Sequence, residues 1–289
     1  MEITDYWTYK NKIIFSPYFD ENIDKYYNII SKYNELIFSN YKSYNELIFS
    51  NYDNYYQTDP ETSIKYNSQY YTSKFNKPII IPKNITKIIF GYYFNHPVII
   101  PENITDIIFD LFFNQPIIIP KNVTHLTFGL KFNQSIIIPE SVTHLIFGYK
   151  FNQSIIIPKN VTHLTLGYHF DQPLNLSNIK YLELNFNNIN LIENLPNSIE
   201  EIKFGNWFNL ELNNLPNSVK KISFSKYSDY DKELNCLPEF VKYLELPINY
   251  KKKIKKLPLN IKTIKCDEEY EFINDYKNIE IQCYIYDYL

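Results

Sequence analysis

The sequence predicts a mostly β chain folded as a solenoid, a stack of about ten near-identical coils of 19–22 residues with a parallel sheet. Three observations predict it. Phe-Asn or Phe-Asp recurs at Phe75, Phe94, Phe113, Phe132, Phe151 and Phe170, in steps of 19 residues. Proline recurs with the same period at Pro82, Pro101, Pro120, Pro139 and Pro158, then more loosely at Pro196, Pro216, Pro238 and Pro258. Between these marks, apolar side chains fall in the same slots coil after coil, so a stack would bury them against one another.

One coil shows each element in turn. It begins at Pro120, where a fixed φ suits a corner and no ladder N–H is needed. Val123, Leu126 and Phe128 follow, with Thr127 between the last two, which is the alternation of a strand with one buried face. The spacing is that of a leucine-rich repeat, L-x-x-L-x-L. Gly129 then occupies a slot shared by all five glycines (Gly91, Gly129, Gly148, Gly167 and Gly205), read as a corner of unusual φ. Phe132-Asn133 marks the opposite corner, where the Asn is expected to bond backbone groups in an asparagine ladder. The return segment Ile136-Ile137-Ile138 is resolved by its later equivalents, Leu174-Asn175-Leu176 and Leu210-Glu211-Leu212. The outer two residues point inward and the middle one outward. Nineteen residues leave no room for the helix of longer leucine-rich repeats.

The string Phe-Asn-x-x-Ile-x-Ile-Pro-x-x-Val-Thr-x-Leu-x-Phe-Gly resembles the FNIP repeat, over about residues 75–265. That resemblance implies a leucine-rich-repeat-like solenoid without known catalysis, of a kind found mainly in social amoebae and giant DNA viruses. The abundance of Ile, Asn, Lys, Tyr and Phe, with no Ala or Arg, reflects AT-rich coding and agrees with such a source. Some viral relatives begin with an F-box, a helical module that docks onto ubiquitin ligases. Residues 1–74 carry no convincing F-box pattern.

Solenoids need caps. Residues 1–57 are read as a Tyr/Asn-rich, partly helical capping region, 58–266 as the solenoid and 267–289 as a capping strand. From Phe19 to about Phe38, apolar residues at Ile23, Tyr26, Tyr27, Ile30, Tyr33 and Ile37 have helical spacing, with Asp20 as N-cap. The nonamer YNELIFSNY occurs at 33–41 and 44–52, and its eleven-residue step favours a continued helix, although it also mimics the strand segment 145–148. Residues 53–74 read as a worn first coil. Residues 279–286 alternate strictly and are expected to close the sheet.

Composition narrows function. Net charge is −3 with no arginine, so the basic face of a nucleic-acid binder is missing. No apolar run reaches the ~20 residues of a membrane span, and the N-terminus has no secretory pattern. Cys236, Cys266 and Cys283 read as free thiols of a reducing compartment. No glycine is left for a phosphate loop or nucleophile elbow. No cofactor is expected. His125, His144 and His163 share an outward slot in which three imidazoles could meet a metal ion, or which coil duplication explains. N-x-[ST] sequons at Asn84, Asn103, Asn122, Asn133, Asn152 and Asn160 read as repeat geometry.

Two outward rows stand out as candidate partner-binding surfaces. The strand face carries Ile89, Ile108 and Ile146 beside Tyr92, Leu111, Leu130, Tyr149 and Tyr168. The return face carries Ile80, Ile99, Ile118, Ile137 and Ile156. Such rows either stabilise the sheet by cross-strand pairing or form a contact surface. The expected function is a non-enzymatic protein–protein scaffold, self-association included, in the cytoplasm of an amoeba or of a virus-infected amoeba. The alternative is a ubiquitin-ligase substrate receptor with residues 1–74 as a divergent docking module.

Overall fold

The computed structural model describes residues 5–16, 18–38 and 73–284. The chain divides into two compact units, residues 1–161 and 162–289.

In the first unit, β1 (Tyr6–Tyr9) and β2 (Lys12–Phe15) form an antiparallel hairpin. From β2 onward the ladder is parallel through β3 (Glu35–Phe38), β4 (Lys87–Ile89), β5 (Asp106–Phe109), β6 (His125–Phe128) and β7 (His144–Phe147). The register is one whole coil per strand: Ile88 faces Ile107, Ile107 faces Leu126, and Leu126 faces Leu145.

That register stacks like on like. Phe75, Phe94, Phe113, Phe132 and Phe151 are fully buried in a column with ring centroids 6.0–6.2 Å apart. Phe90, Phe109, Phe128 and Phe147 form a second column at 5.0–5.7 Å. Each such contact is worth ~0.5–1.5 kcal/mol beyond burial. The asparagine ladder is present: the Oδ1 atoms of Asn76, Asn95, Asn114 and Asn133 each accept the backbone N–H of the Asn one coil on, at 2.8–2.9 Å. A threonine row runs beside the strands, the hydroxyls of Thr105, Thr124 and Thr143 donating to the preceding coil's Thr carbonyl at 3.2 Å.

The N-terminal region departs from the helical reading. Among the described residues there, a 3-10 turn at Ile23–Tyr26 and one α-turn at Tyr27–Ile30 are the helical elements, and Asn22, not Asp20, caps the first. Glu35–Phe38, inside the first nonamer, is a strand paired on both sides. Ile23, Tyr26 and Ile30 do bury as the helical spacing requires, but ladder bonds to β2 and β4 win the backbone from Glu35 onward. Phe38 stacks on Phe75 at 4.3 Å, as Phe90 does on Phe94 at 4.3 Å, so these two residues complete one coil across a long insertion. The second nonamer and most of the worn-coil reading at 53–74 lie outside the described residues.

The second unit holds β8 (His163–Leu166), β9 (Tyr181–Leu184), β10 (Glu201–Phe204), β11 (Lys221–Phe224), β12 (Tyr243–Glu245), β13 (Thr263–Cys266) and β14 (Glu280–Cys283), in parallel order. The closing strand is therefore in place. Its aromatic column changes from Phe208 to Tyr230, Tyr250 and Tyr270, with centroids 6.1–6.3 Å apart. Buried phenols need partners: the Tyr250 and Tyr270 hydroxyls donate to the carbonyls of Lys232 and Lys252. Contrary to the expectation of helix-free coils, a short helix at Ile189–Glu193 lies between β9 and β10, started by Asn188, whose Oδ1 accepts from Leu191 N–H at 3.0 Å. The Phe-to-Phe step lengthens there, from Phe186 to Phe208, and the extra residues take up the turn while Leu182 still faces Ile202.

The glycines have a different reason from the one the sequence suggests. Among the described residues no glycine has positive φ. A Cβ on Gly148 would instead lie 2.5 Å from the Gly129 carbonyl carbon and oxygen and 2.8 Å from Leu130 N. Close approach of adjacent coils, not backbone conformation, selects glycine. Gly148→Ala is therefore expected to cost about 1–3 kcal/mol, measured by urea unfolding. A loss under a few tenths would show that the corner can spread freely.

Candidate functional site

The return face carries the most exposed apolar row. Ile99, Ile118, Ile137 and Ile156 are each 89% exposed and Ile80 is 69% exposed. Their neighbours Ile81, Ile100, Ile119 and Ile138 are buried, so the alternation of the return segment has the expected phase. Two residues earlier, Pro78, Pro97, Pro116, Ser135 and Ser154 make a second exposed, uncharged row. In the second unit the isoleucine slot turns polar, to Asn175 and Glu211, both exposed.

The strand face differs from its sequence reading. Ile89, Leu111 and Leu130 are buried; Ile108, Ile146, Tyr92 and Tyr149 are half-buried; Tyr168 is exposed. Pointing away from the main core did not leave the first three wet. Ile89 joins Ile14 and Ile37 in a second, small apolar cluster, with Ile108 packed against it. Leu130 sits in the corner that Gly148 allows to close, and Leu111 in the equivalent corner facing Gly129. Tyr92 packs on Tyr93 and Phe112 at 4.9 and 5.3 Å. Burial first, then the charges of Tyr93 and Asp110, hold its phenol above the ordinary pKa. Ile14 and Ile37 were missed although a signal was present: Lys12-Ile13-Ile14-Phe15 with Phe19-Asp20 has the spacing of Lys87-Ile88-Ile89-Phe90 with Phe94-Asn95, and the nonamer that holds Ile37 mimics residues 145–148.

The histidine slot is ordered by its own threonines. Thr124, Thr143 and Thr162 hydroxyls lie 2.9–3.0 Å from Nδ1 of His125, His144 and His163. The His125 and His144 rings stack at 4.3 Å with planes 19° apart. Imidazole lone pairs lie in the ring plane, so stacked rings aim them side by side rather than at one ion. Among the described residues no group of three His, Cys, Asp or Glu is placed to hold a metal. Sequon asparagines have structural work: Nδ2 of Asn122 and Asn160 donates to the carbonyls of Glu102 and Glu140 at 2.6 and 2.7 Å.

Charges on the strands of the second unit pair across coils, Lys203 with Glu183 at 3.4 Å, Lys221 with Glu201 at 3.2 Å and Lys265 with Glu245 at 2.8 Å. Such surface pairs contribute ~0–1 kcal/mol. A concavity of ≈500 Å³ in that unit is lined by Asp171, Gln172, Asn175, Asn188 and Asn194 among others. It gathers amides, one carboxylate and the Ser177 hydroxyl.

Against known proteins, the model of the family described as FNIP Repeat matches residues 75–112, 96–131, 113–150, 132–157, 151–185 and 186–227. The crystal structure of CroV588, described as a novel circular LRR protein, is similar at 27% identity and a TM-score of 0.66, over 92% of this chain. The chain spans 38% of CroV588's own length. A leucine-rich repeat protein from Bacteroides ovatus shares 10% identity over 73% of this chain and 84% of its own, at a TM-score of 0.19. Among curated proteins, none matches.

Titration of the purified protein with zinc is expected to give no tight, stoichiometric site. Submicromolar binding that disappears in His144→Ala would overturn the reading of the histidine slot as a duplicated surface position.

Proposed function

The chain belongs to the FNIP repeat family, and from that premise we propose that it is a non-catalytic protein–protein interaction scaffold. The observation that carries the reading is the return-face stripe of Ile80, Ile99, Ile118, Ile137 and Ile156, 69–89% exposed in consecutive coils. Ladder pairing alone explains one β-branched residue beside another. It does not explain why the row is apolar in these coils and polar at Asn175 and Glu211, since the outward slot contributes nothing to the core. A contiguous apolar row of this size seldom stays wet in a soluble protein.

Other features support the same reading. Net charge is −3 and arginine is absent, which disfavours nucleic acid as the partner. Among the described residues no helix is long and apolar enough to cross a membrane. Cys236, Cys266 and Cys283 are free thiols, which supports a reducing cytoplasm, of an amoeba or of an amoeba infected by a giant virus. We further propose that residues 1–57 and 267–289 cap the solenoid of residues 58–266. The alternative, a ubiquitin-ligase substrate receptor, would draw its docking module from residues 1–74, of which the described strands β1, β2 and β3 pair into the sheet.

The test is the double variant Ile118→Lys/Ile137→Lys. Ile119 and Ile138 stay buried and untouched, so the fold is expected to survive with a loss of about 1 kcal/mol or less per site, read from thermal melts. Partners found by proximity labelling in amoebae should be lost from the folded variant. If the variant folds and keeps every partner of the parent, the stripe is a sheet-stabilising ladder and the proposal falls.

A further inference from the structure

A row of alternating charge runs beside the isoleucine stripe. The residue after each corner proline is Lys83, Glu102, Lys121, Glu140 and then Lys159, all exposed. These five residues stand in the same five coils as Ile80, Ile99, Ile118, Ile137 and Ile156. Beyond them the slot holds Asn197, Asn217, Glu239 and Leu259, and the alternation is gone. No ion pair joins the five charges to one another among the described residues. Their charged ends are free to meet something else.

What surface would complement such a face? A partner of one sign would gain at the lysines and lose at the glutamates. The row demands a partner whose charge alternates with the ladder spacing of ~4.8 Å, next to an apolar ridge of the same period. This chain carries one. We propose that the return face of the first unit pairs with the same face of a second copy, antiparallel, about a two-fold axis. The inference rests on the reading of the isoleucine stripe as a contact surface, and adds the identity of its occupant.

Symmetry fixes the register. An isologous contact in which the ridges run antiparallel has its axis in the plane of the interface and perpendicular to the stripe. That operation lays stripe on stripe and keeps the two charge rows on the same side. If the axis passes between Ile99 and Ile118, Lys83 meets Glu140 and Glu102 meets Lys121, each pair twice by symmetry. Between Ile118 and Ile137, Glu102 meets Lys159 and Lys121 meets Glu140. An axis through a coil would oppose like with like in every pair. The charges therefore select half-coil registers and reject whole-coil ones, while the isoleucine ridges interdigitate. About four coils overlap and each adds one isoleucine to the ridge, so the dimer is expected to be weak and concentration-dependent.

Sedimentation velocity of the full chain over a wide concentration series tests this. The wild type is expected to pass from monomer to dimer. Glu102→Lys/Glu140→Lys makes the row wholly basic and keeps every isoleucine; it should dimerise at least tenfold more weakly. Lys83→Glu/Lys121→Glu/Lys159→Glu makes the row wholly acidic and should also stay monomeric. Mixed, the two variants should pair more tightly than the wild type does with itself, and added salt should weaken them. Far-UV circular dichroism checks that both fold. A wild type monomeric throughout, charge variants that dimerise like the parent, or a mixture that does not associate would each overturn the pairing. In that event, loss of labelled partners from Ile118→Lys/Ile137→Lys would leave the contact surface standing without self-pairing. A dimer that survives Ile118→Lys/Ile137→Lys uses another face, and the inference falls.

Discussion

Whole-coil parallel register is the constraint on which the rest of this structure depends. With Ile107 opposite Leu126 and Leu126 opposite Leu145, every slot becomes a row, and each side chain must tolerate its own kind one strand spacing away. Phenylalanine tolerates this well, because offset stacking holds centroids at 6.0–6.2 Å with planes nearly parallel. Asparagine gains from it, since Oδ1 of one copy accepts the N–H of the next. Glycine is forced where two coils close to a distance that leaves no room for a Cβ. Charge is the residue property that identical stacking punishes. It does so where the side chains are partly enclosed, so Glu183 meets Lys203 and Glu245 meets Lys265; exposed slots hold like charges in consecutive coils, as at Lys131 and Lys150 or at Lys220, Lys242 and Lys262.

That constraint also decides what could be read from the sequence. The strand and return segments were legible because a fixed period and a two-residue alternation act together, and later coils with Asn175 or Glu211 in the outward slot settled the phase. The N-terminal strand was legible only as the nonamer's likeness to residues 145–148. Ile23, Tyr26, Ile30 and Ile37 fit a helical face, and spacing cannot tell where that face ends. The ladder bonds of β3 to β2 and β4 decide it, and they join residues far apart in sequence. The pairing of Phe38 with Phe75 was hidden for the same reason.

The candidate surface was half legible. Outward and exposed are one property only on a face with nothing above it. The return-face isoleucines meet that condition; Ile89, Leu111 and Leu130 do not. The cluster of Ile14, Ile37 and Ile89 draws two of its three members from strands that lie outside the 19-residue period. The glycine slot was read correctly as a corner and incorrectly as a conformational one. Sequence shows that a side chain is unwelcome but not whether φ or a neighbouring backbone excludes it.

In a stack of this kind each coil answers only to its neighbours, so a row can change character along the array without cost to the core. The aromatic column does so at Tyr230, where phenols replace phenyl rings and later members find backbone carbonyls. Core rows therefore run on through such substitutions, because every coil must fill the same interior. Outward rows carry no such obligation, and each is free to begin and end anywhere. The exposed isoleucines and the alternating Lys/Glu row nevertheless begin and end together, from Ile80 and Lys83 to Ile156 and Lys159. Neither row supports the other within the chain: the isoleucines are solvated and no ion pair links the charges among the described residues. Two rows that share limits without touching a common core are better explained by one external surface that covers both than by the internal needs of the fold.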